Sequence, residues 1–251
     1  MPVVAIIPAR YASTRFPGKP LASETGKPLI QHVYDRVTAA RLVDRVIVAT
    51  DDERILRAVR GFGGHAEMTR GDHATGTDRI AEVAAELGEE FDTVLNVQGD
   101  EPELEPGSVD RLVEVIREHR DCSVATLACR FRQRKDAESP NNVKVVLDGQ
   151  GRALYFSRSL VPYARDAEQL SAEACPWLLH VGIYAYRRNF LLKLANMAAT
   201  PLERLEKLEQ LRVLENGYAI AVGLVDRAAI GVDTPEDYAA FVERYKRSAK
   251  C

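Results

Sequence analysis

The sequence predicts a three-layer α/β fold around a mixed, mainly parallel central sheet. It reads as one domain over 1–251 with an inserted lobe at about 123–190. Three observations predict this. Over roughly the first 120 residues, short apolar runs alternate with segments of helical spacing. After that, strands follow one another with few helices between them. The first strand also empties into a loop rich in cations, at the end of a sheet where open α/β folds bind ligands.

Val3–Pro8 is an uninterrupted apolar run, as a buried parallel strand requires. Leu29–Ala40 places Leu29, Ile30, Val33 and Val37 on one helical face. Arg45–Thr50 is a second strand, and Asp51-Asp52 opens a helix over Glu53–Arg60 that Gly61, Gly63 and Gly64 close. Thr77–Leu87 is a helix with Thr77 as its expected cap. Thr93–Gln98 is a strand and Gly107–His119 the helix after it. Ser123–Cys129, Val143–Leu147 and Ala153–Phe156 are strands, the last two joined by a hairpin turn at Asp148-Gly149-Gln150-Gly151. Asp166–Glu173 is a polar excursion, expected to be mobile or partly helical, that would close over a ligand. Leu178–Tyr186 is a strand, 189–198 and 202–215 are helices, and Tyr218–Val225 is a late strand. The last helix starts at Thr234, with Pro235 first inside it and Asp237 third.

Composition excludes several function classes. Apolar residues make up 46% and charged residues 28%, as in an ordinary globular chain. The net charge of −3 leaves no basic footprint for nucleic acid, so the cations of the first loop are a local feature. No apolar run approaches the ~20 residues that span a bilayer. The first residues read as a strand rather than a signal peptide. The four cysteines, Cys122, Cys129, Cys175 and Cys251, show no C-x-x-C spacing. Cys122 and Cys129 would point to opposite faces of one strand, which fits a reduced cytoplasm.

The loop after the first strand carries Arg10, Ser13, Thr14, Arg15 and Lys19, a donor set that suits a polyphosphate. It is neither a P-loop nor a G-x-G-x-x-G turn. Asn96-Val97-Gln98-Gly99-Asp100-Glu101-Pro102 ends another strand, where Asp100 can hold a divalent metal. The ordinary alternative, Asp100 serving a turn, loses weight because a cationic loop leaves a second strand end. In Gly231-Val232-Asp233-Thr234-Pro235-Glu236-Asp237, Asp233 precedes the helix cap and is available for a metal, although spacing alone leaves that role open. Arg70–Arg79 is either a loop that reads a base or sugar edge or an ordinary helix entry with a solvated His73. Tyr155–Ser159, Arg165, His180–Tyr184 and Glu209-Gln210 supply donors and acceptors without nucleophile geometry. Taken alone, His180 reads as a structural histidine. Glu203, Glu206 and Glu209 read as a solvated, salt-bridged helix face.

Together these motifs, with Val48–Asp51, Ala153–Arg158 and Lys207–Arg212, resemble the 3-deoxy-manno-octulosonate (KDO) cytidylyltransferases over essentially the whole chain. That resemblance implies a Rossmann-like, nucleotide-diphospho-sugar-transferase-like fold with a smaller subregion for sugar binding and dimerisation. It implies conversion of CTP and KDO to CMP-KDO and diphosphate with Mg²⁺, in a cytoplasmic homodimer that feeds lipopolysaccharide synthesis. By the same resemblance Lys19, Asp100 and Asp233 are catalytic, and the two aspartates hold Mg²⁺. Ala9, Arg10, Ser13, Arg15, Lys19, Asp51, Arg70, Gly76, Thr77, Gln98 and Gly99 bind the nucleotide. Arg158, Arg165, His180, Tyr184, Glu209 and Gln210 bind the sugar acid. Ala228-Ala229-Ile230 departs from the Pro-Gly-Thr found in some members.

The chemistry suits these residue types. A sugar hydroxyl attacks the α-phosphorus, both partners are anionic, and positioning and charge neutralisation dominate. No protein nucleophile is needed. The rivals are a cytidylyltransferase for sialic acid or 8-amino-KDO, a glycosyltransferase, and a nucleotide-binding module without catalysis. The Tyr155–Arg158 segment and the Glu209-Gln210 pair disfavour sialic acid, and no Asp-x-Asp metal motif supports a glycosyltransferase.

Overall fold

The computed structural model describes residues 2–166 and 175–248. The chain divides into two compact units, Met1–Asp110 with Ala229–Cys251, and Arg111–Ala228.

In the first unit β1 (Val3–Ala9), β2 (Arg45–Thr50), β3 (Ala66–Met68) and β4 (Thr93–Asn96) form parallel pairs in the spatial order β3-β2-β1-β4. Val3 to Ile7 are inaccessible to solvent, as expected where helices cover both faces of a parallel sheet. Those helices are α1 (Leu29–Thr38), α2 (Glu53–Gly61) and α3 (Gly76–Glu86); α4 (Pro106–Glu118) begins in this unit and runs on into the second. The chain runs outward from β1 to β3 and then changes side to β4, so the order reverses between β1 and β4. Ligands of open α/β sheets bind outside the carboxyl ends of the strands at such a reversal. Here those ends are the 10–20 loop and Gln98-Gly99-Asp100. They approach so closely that a Cβ on Gly99 would stand 2.9 Å from the Pro8 carbonyl oxygen.

In the second unit β5 (Val124–Arg130) leads to the short helix α5 (Arg134–Glu138), then β6 (Lys144–Leu147) and β7 (Ala153–Ser157). The predicted turn joins these last two strands as an antiparallel hairpin. The Asp148 carboxylate accepts there from the backbone N–H of Gln150 and Arg152. β8 (Leu178–Arg187) runs antiparallel to β5 and β6. After α6 (Arg188–Leu194), α7 (Pro201–Glu206) and α8 (Gln210–Glu215), β9 (Ile220–Leu224) pairs parallel with β5. Phe131, Ala137 and Trp177 form a local core, and the Trp177 indole donates to the Pro162 carbonyl. The chain then returns to the first unit as α9 (Pro235–Ser248). Tyr238, Phe241 and Val242 of α9 pack with Leu29 and Val232 and so anchor Asp233.

Four expectations are corrected. The single helix expected over 202–215 is broken at Lys207, whose φ of 54° lies in the left-handed region and ends α7. Thr75, not Thr77, caps α3: its hydroxyl accepts from the Asp78 N–H while the Asp78 carboxylate accepts from the Thr75 N–H. Thr77 is already inside the helix. Cys122 lies just before β5 rather than on it, and Cys122, Cys129 and Cys175 are free thiols. The helix expected at 189–198 stops at Leu194. Most of the Asp166–Glu173 excursion lies outside the described residues. No helix among the described residues is long and apolar enough to cross a membrane.

Candidate active site

The loop leaving β1 is closed by a backbone bond from the Gly18 N–H to the Tyr11 carbonyl, 2.9 Å. Gly18 has φ 73°, and a Cβ there would stand 3.1 Å from the Tyr11 hydroxyl. Both facts call for glycine. The Arg54 guanidinium lies over the Tyr11 ring, 3.3 Å from its centroid. Within the loop the Ser13 hydroxyl accepts from the Phe16 N–H. Gly18 leads directly into a 3-10 turn, Lys19–Leu21, that presents Lys19.

Lys19 is the centre of the charge arrangement. Its ammonium donates to Asp100 Oδ2 at 2.8 Å and to the Val232 carbonyl at 2.8 Å, and it stands 3.8 Å from Asp233 Oδ1. The Arg15 guanidinium donates to the same Asp233 oxygen at 3.0 Å. The Val232 N–H in turn donates to the Asp100 carbonyl at 2.9 Å, tying the two aspartate segments together. Two carboxylates more than a hundred residues apart in sequence thus share one cation. That donor set fits a hard divalent ion such as Mg²⁺, which takes one or two carboxylates and completes its shell with water and phosphate oxygens. A second group with metal-type ligands, His119, Asp121 and Cys122, lies in the second unit, where the Arg152 guanidinium already stands 3.8 Å from Asp121.

The segment 69–79 is built around a guanidinium with no solvent exposure. Arg79 donates to Asp51 Oδ2 at 2.8 Å and to the Thr69 hydroxyl. The Glu82 carboxylate accepts from the Arg70 N–H, the Arg70 side chain and His73. Burial pushes that carboxyl up, but the bonds from His73 and Arg70 outweigh it and hold it below its usual range. Arg10 donates to the His73 and Thr75 carbonyls, at 2.6 and 3.2 Å, so one of the three loop cations also fastens this segment to the end of β1. Gly76 packs on Pro8, and buried Thr77 follows it; Ala9 ends β1. Arg79, read from the sequence only as the end of its segment, and Glu82 hold this segment together, roles that no motif announces. Their signal, a charged residue on the buried face of an amphipathic helix, was present in the sequence.

In the second unit, Arg158 donates to the Glu206 carbonyl at 2.8 Å and to the Pro140 carbonyl at 3.0 Å. Glu206 holds this segment through both carboxylate oxygens, accepting from the Ser157 hydroxyl and the Arg158 N–H. Its partners are therefore internal, not solvent as expected for that helix face. Beneath it Lys144, with no solvent exposure, donates to the carbonyls of Ser139, Asn142 and Arg158. The His180 ring meets Phe156 edge-on at 4.9 Å and Tyr184 at 5.4 Å. Burial holds the His180 imidazole down to about 3, so it is neutral. Burial and the neighbouring Tyr186 and Glu209 keep the Tyr184 phenol protonated. Glu209 and buried Gln210 start α8 just beyond the break at Lys207. Arg165 is exposed and makes no hydrogen bond or ion pair to a described residue, so the structure does not bring it into this cluster.

Relatives place this geometry. The cytidylyltransferase family model matches residues 4–221. The 3-deoxy-manno-octulosonate cytidylyltransferases of Geotalea daltonii and Geobacter sulfurreducens are 54% and 52% identical. Each alignment covers 98% of this chain and 99% or 100% of the relative. A CMP:2-keto-3-deoxy-manno-octonic acid synthetase solved with CTP superposes with a TM-score of 0.92 at 43% identity, covering 99% of this chain and all of that one. A 4-diphosphocytidyl-2C-methyl-D-erythritol synthase from Anaerococcus prevotii, 14% identical with a TM-score of 0.59, shares the fold alone. Near-complete coverage in both directions, at more than half identity, extends the match to both units, and the chain belongs to the 3-deoxy-manno-octulosonate cytidylyltransferase family.

Proposed function

We infer that the chain transfers the cytidylyl group of CTP to KDO, giving CMP-KDO and diphosphate for lipopolysaccharide synthesis. The observation that carries this reading is the Lys19 ammonium held between Asp100 and Asp233 at the reversal of strand order. A site that must hold a triphosphate beside a sugar carboxylate needs both cations and metal-binding carboxylates. This one has Arg15, Lys19 and the two aspartates in one place, with Arg10 at the start of the same loop.

Lys19 and Arg15 neutralise the triphosphate and the departing diphosphate, a charge stabilisation that strengthens as the leaving group develops. Entry of the nucleotide gives these side chains phosphate partners and frees Asp100 and Asp233. Asp100 and Asp233 are the residues that would then hold Mg²⁺, an ion that when bound would lower the pKa of the attacking hydroxyl and screen the repulsion between the two anions. Gln98, Ala9, Gly99, Asp51, Ser13 and the segment Arg70, Gly76 and Thr77 seat the nucleoside and phosphates. The rigid Arg79–Asp51 pair keeps that segment in place. In the second unit Arg158, His180, Tyr184, Glu209 and Gln210 bind the sugar acid: a cation for its carboxylate, acceptors and donors for its hydroxyls. Arg165 stands apart from that cluster and is not among them. The chain acts as a cytoplasmic homodimer, which sedimentation of the purified protein tests.

Diphosphate release is the direct assay, with each nucleoside triphosphate offered against KDO, 8-amino-KDO and sialic acid in the presence of Mg²⁺. Turnover confined to CTP with KDO is expected. Preference for 8-amino-KDO would reassign the substrate within the family, and release with no sugar acid would sink the reading.

A further inference from the structure

Thr126, on β5, has no solvent exposure, and its hydroxyl faces three groups of β8. It stands 2.8 Å from the Ile183 carbonyl, 3.1 Å from the Val181 carbonyl and 3.0 Å from His180 Nε2. The cause is a break in the ladder: Thr126 pairs with Tyr184, but the next residue, Leu127, pairs with Val181. One step on β5 thus faces three on β8, a bulge with Gly182 and Ile183 as the extra residues. The carbonyls that the bulge turns out of register need a donor, and the threonine side chain supplies it.

A hydroxyl has one hydrogen. Neither carbonyl can donate, so that hydrogen must lie toward Ile183 and Val181. Aimed at the imidazole instead, it would leave two oxygen–oxygen contacts of 2.8 and 3.1 Å with no hydrogen between them, inside a buried site where unpaired acceptors are costly. The hydroxyl can then meet His180 only as an acceptor, and Nε2 must carry the proton. An imidazole that is neutral with Nε2 protonated has a bare Nδ1, an acceptor. The neutrality has its own cause, since burial against Phe156 and Tyr184 penalises the imidazolium. Nδ1 has no hydrogen-bond partner among the described residues.

We propose that Thr126 is a positioning residue that fixes His180 as the Nε2–H tautomer, so that Nδ1 accepts a hydrogen bond from a hydroxyl of the sugar acid. In this role His180 recognises a hydroxyl and not the carboxylate, which a bare nitrogen would repel. The tautomer is independent of the function proposed above; only the identity of the hydroxyl's owner rests on it.

Nitrogen-15 NMR of protein labelled at its histidine side chains reads the tautomer directly. A protonated ring nitrogen and a bare one have well-separated shifts, and His180→Gln assigns the signals. At neutral pH the expected result is a protonated Nε2 and a bare Nδ1, with the Nδ1 signal moving on addition of KDO. Thr126→Val should lose the Nε2–H preference and raise KM for KDO roughly tenfold, the worth of one hydrogen bond, with KM for CTP unchanged. Thr126→Ser, which keeps the hydroxyl, should restore both. A protonated Nδ1, or an unchanged tautomer in Thr126→Val, overturns the proposal. A bare Nδ1 that KDO leaves unmoved while KDO is turned over overturns its ligand half. If the tautomer is as stated and no sugar acid is turned over, the proposed function falls and the Thr126 assignment stands.

Discussion

The Asp237 carboxylate accepts from the backbone N–H of Asp233 at 3.1 Å, fixing the main chain that carries one of the two shared carboxylates. The same oxygen accepts from the Thr234 N–H and hydroxyl, so one side chain both caps α9 and orients Asp233. These bonds, from Thr234 first and Asp233 second, hold the carboxyl below its usual range. Its contribution to stability is therefore present above about pH 4 and is lost as pH falls through the lowered value. Asp237→Ala should cost about 1 kcal/mol in urea unfolding, the usual worth of a cap, and raise the Mg²⁺ concentration needed for half-maximal turnover. Wild-type Mg²⁺ dependence in this variant would separate Asp233 from Asp237.

Lys19 and an ion cannot both sit between Asp100 and Asp233. Lys19→Met should therefore bind Mg²⁺ more tightly than wild type in the absence of nucleotide, measured by calorimetry, even as its turnover collapses. Asp100→Asn should lower kcat by roughly 10²-fold or more, the scale of losing one key electrostatic group. Near-normal turnover of Asp100→Asn at saturating Mg²⁺ would remove Asp100 from the ion's shell.

The Arg79 guanidinium, with no exposure, is matched by the partly buried Asp51. Removing one member of such a pair leaves the other charge without its partner, at a cost of about 3 kcal/mol or more. Arg79→Met and Asp51→Asn should each lower the denaturation midpoint. Their effects should be less than additive in the double variant, because the second change removes a charge the first left stranded. Full additivity would mean that the two side chains contribute independently.

What the sequence disclosed follows the range of the forces involved. Val3–Ala9 and Arg45–Thr50 are legible because a strand buried on both faces must be apolar throughout. The motif ends of β1 and β4 are legible because the chemistry of a loop travels with it. Ala66–Met68 is not: three residues without a β-branched side chain acquire strand character only by pairing with β2. The break at Lys207 is hidden because the helical spacing of 202–215 continues across it, and a positive φ at a lysine leaves no compositional trace. Glu206 resembles a solvated helix residue until Ser157 and Arg158, nearly fifty positions earlier, are brought against it. Thr75 and Thr77 are equally good caps by type. The choice fell to Thr75 because Asp78 lies three residues beyond it, completing the reciprocal pair.

The neutral His180 has a consequence for acid stability. Its unfolded value is 6.5 and its folded value about 3, so between these the unfolded chain binds a proton that the folded chain refuses. Stability from this residue is intact above pH 6.5 and is lost as pH falls below it, at about 1.4 kcal/mol per pH unit for one whole proton. Glu101 acts in the opposite sense: burial first, then the neighbouring Asp100, raises its carboxyl to about 8 from 4.5. The folded chain there keeps a proton that the unfolded chain has released, and stability falls as pH rises from 4.5 to 8. Over the shared window of 4.5 to 6.5 the two nearly cancel, so the wild-type curve without divalent ions should be flatter than either residue alone implies. Urea unfolding of His180→Gln across this window removes one of the opposing effects. The variant should gain relative stability steadily as pH is lowered from 6.5 to 4.5, whereas a constant offset from wild type would show that the His180 imidazole titrates normally in the folded protein.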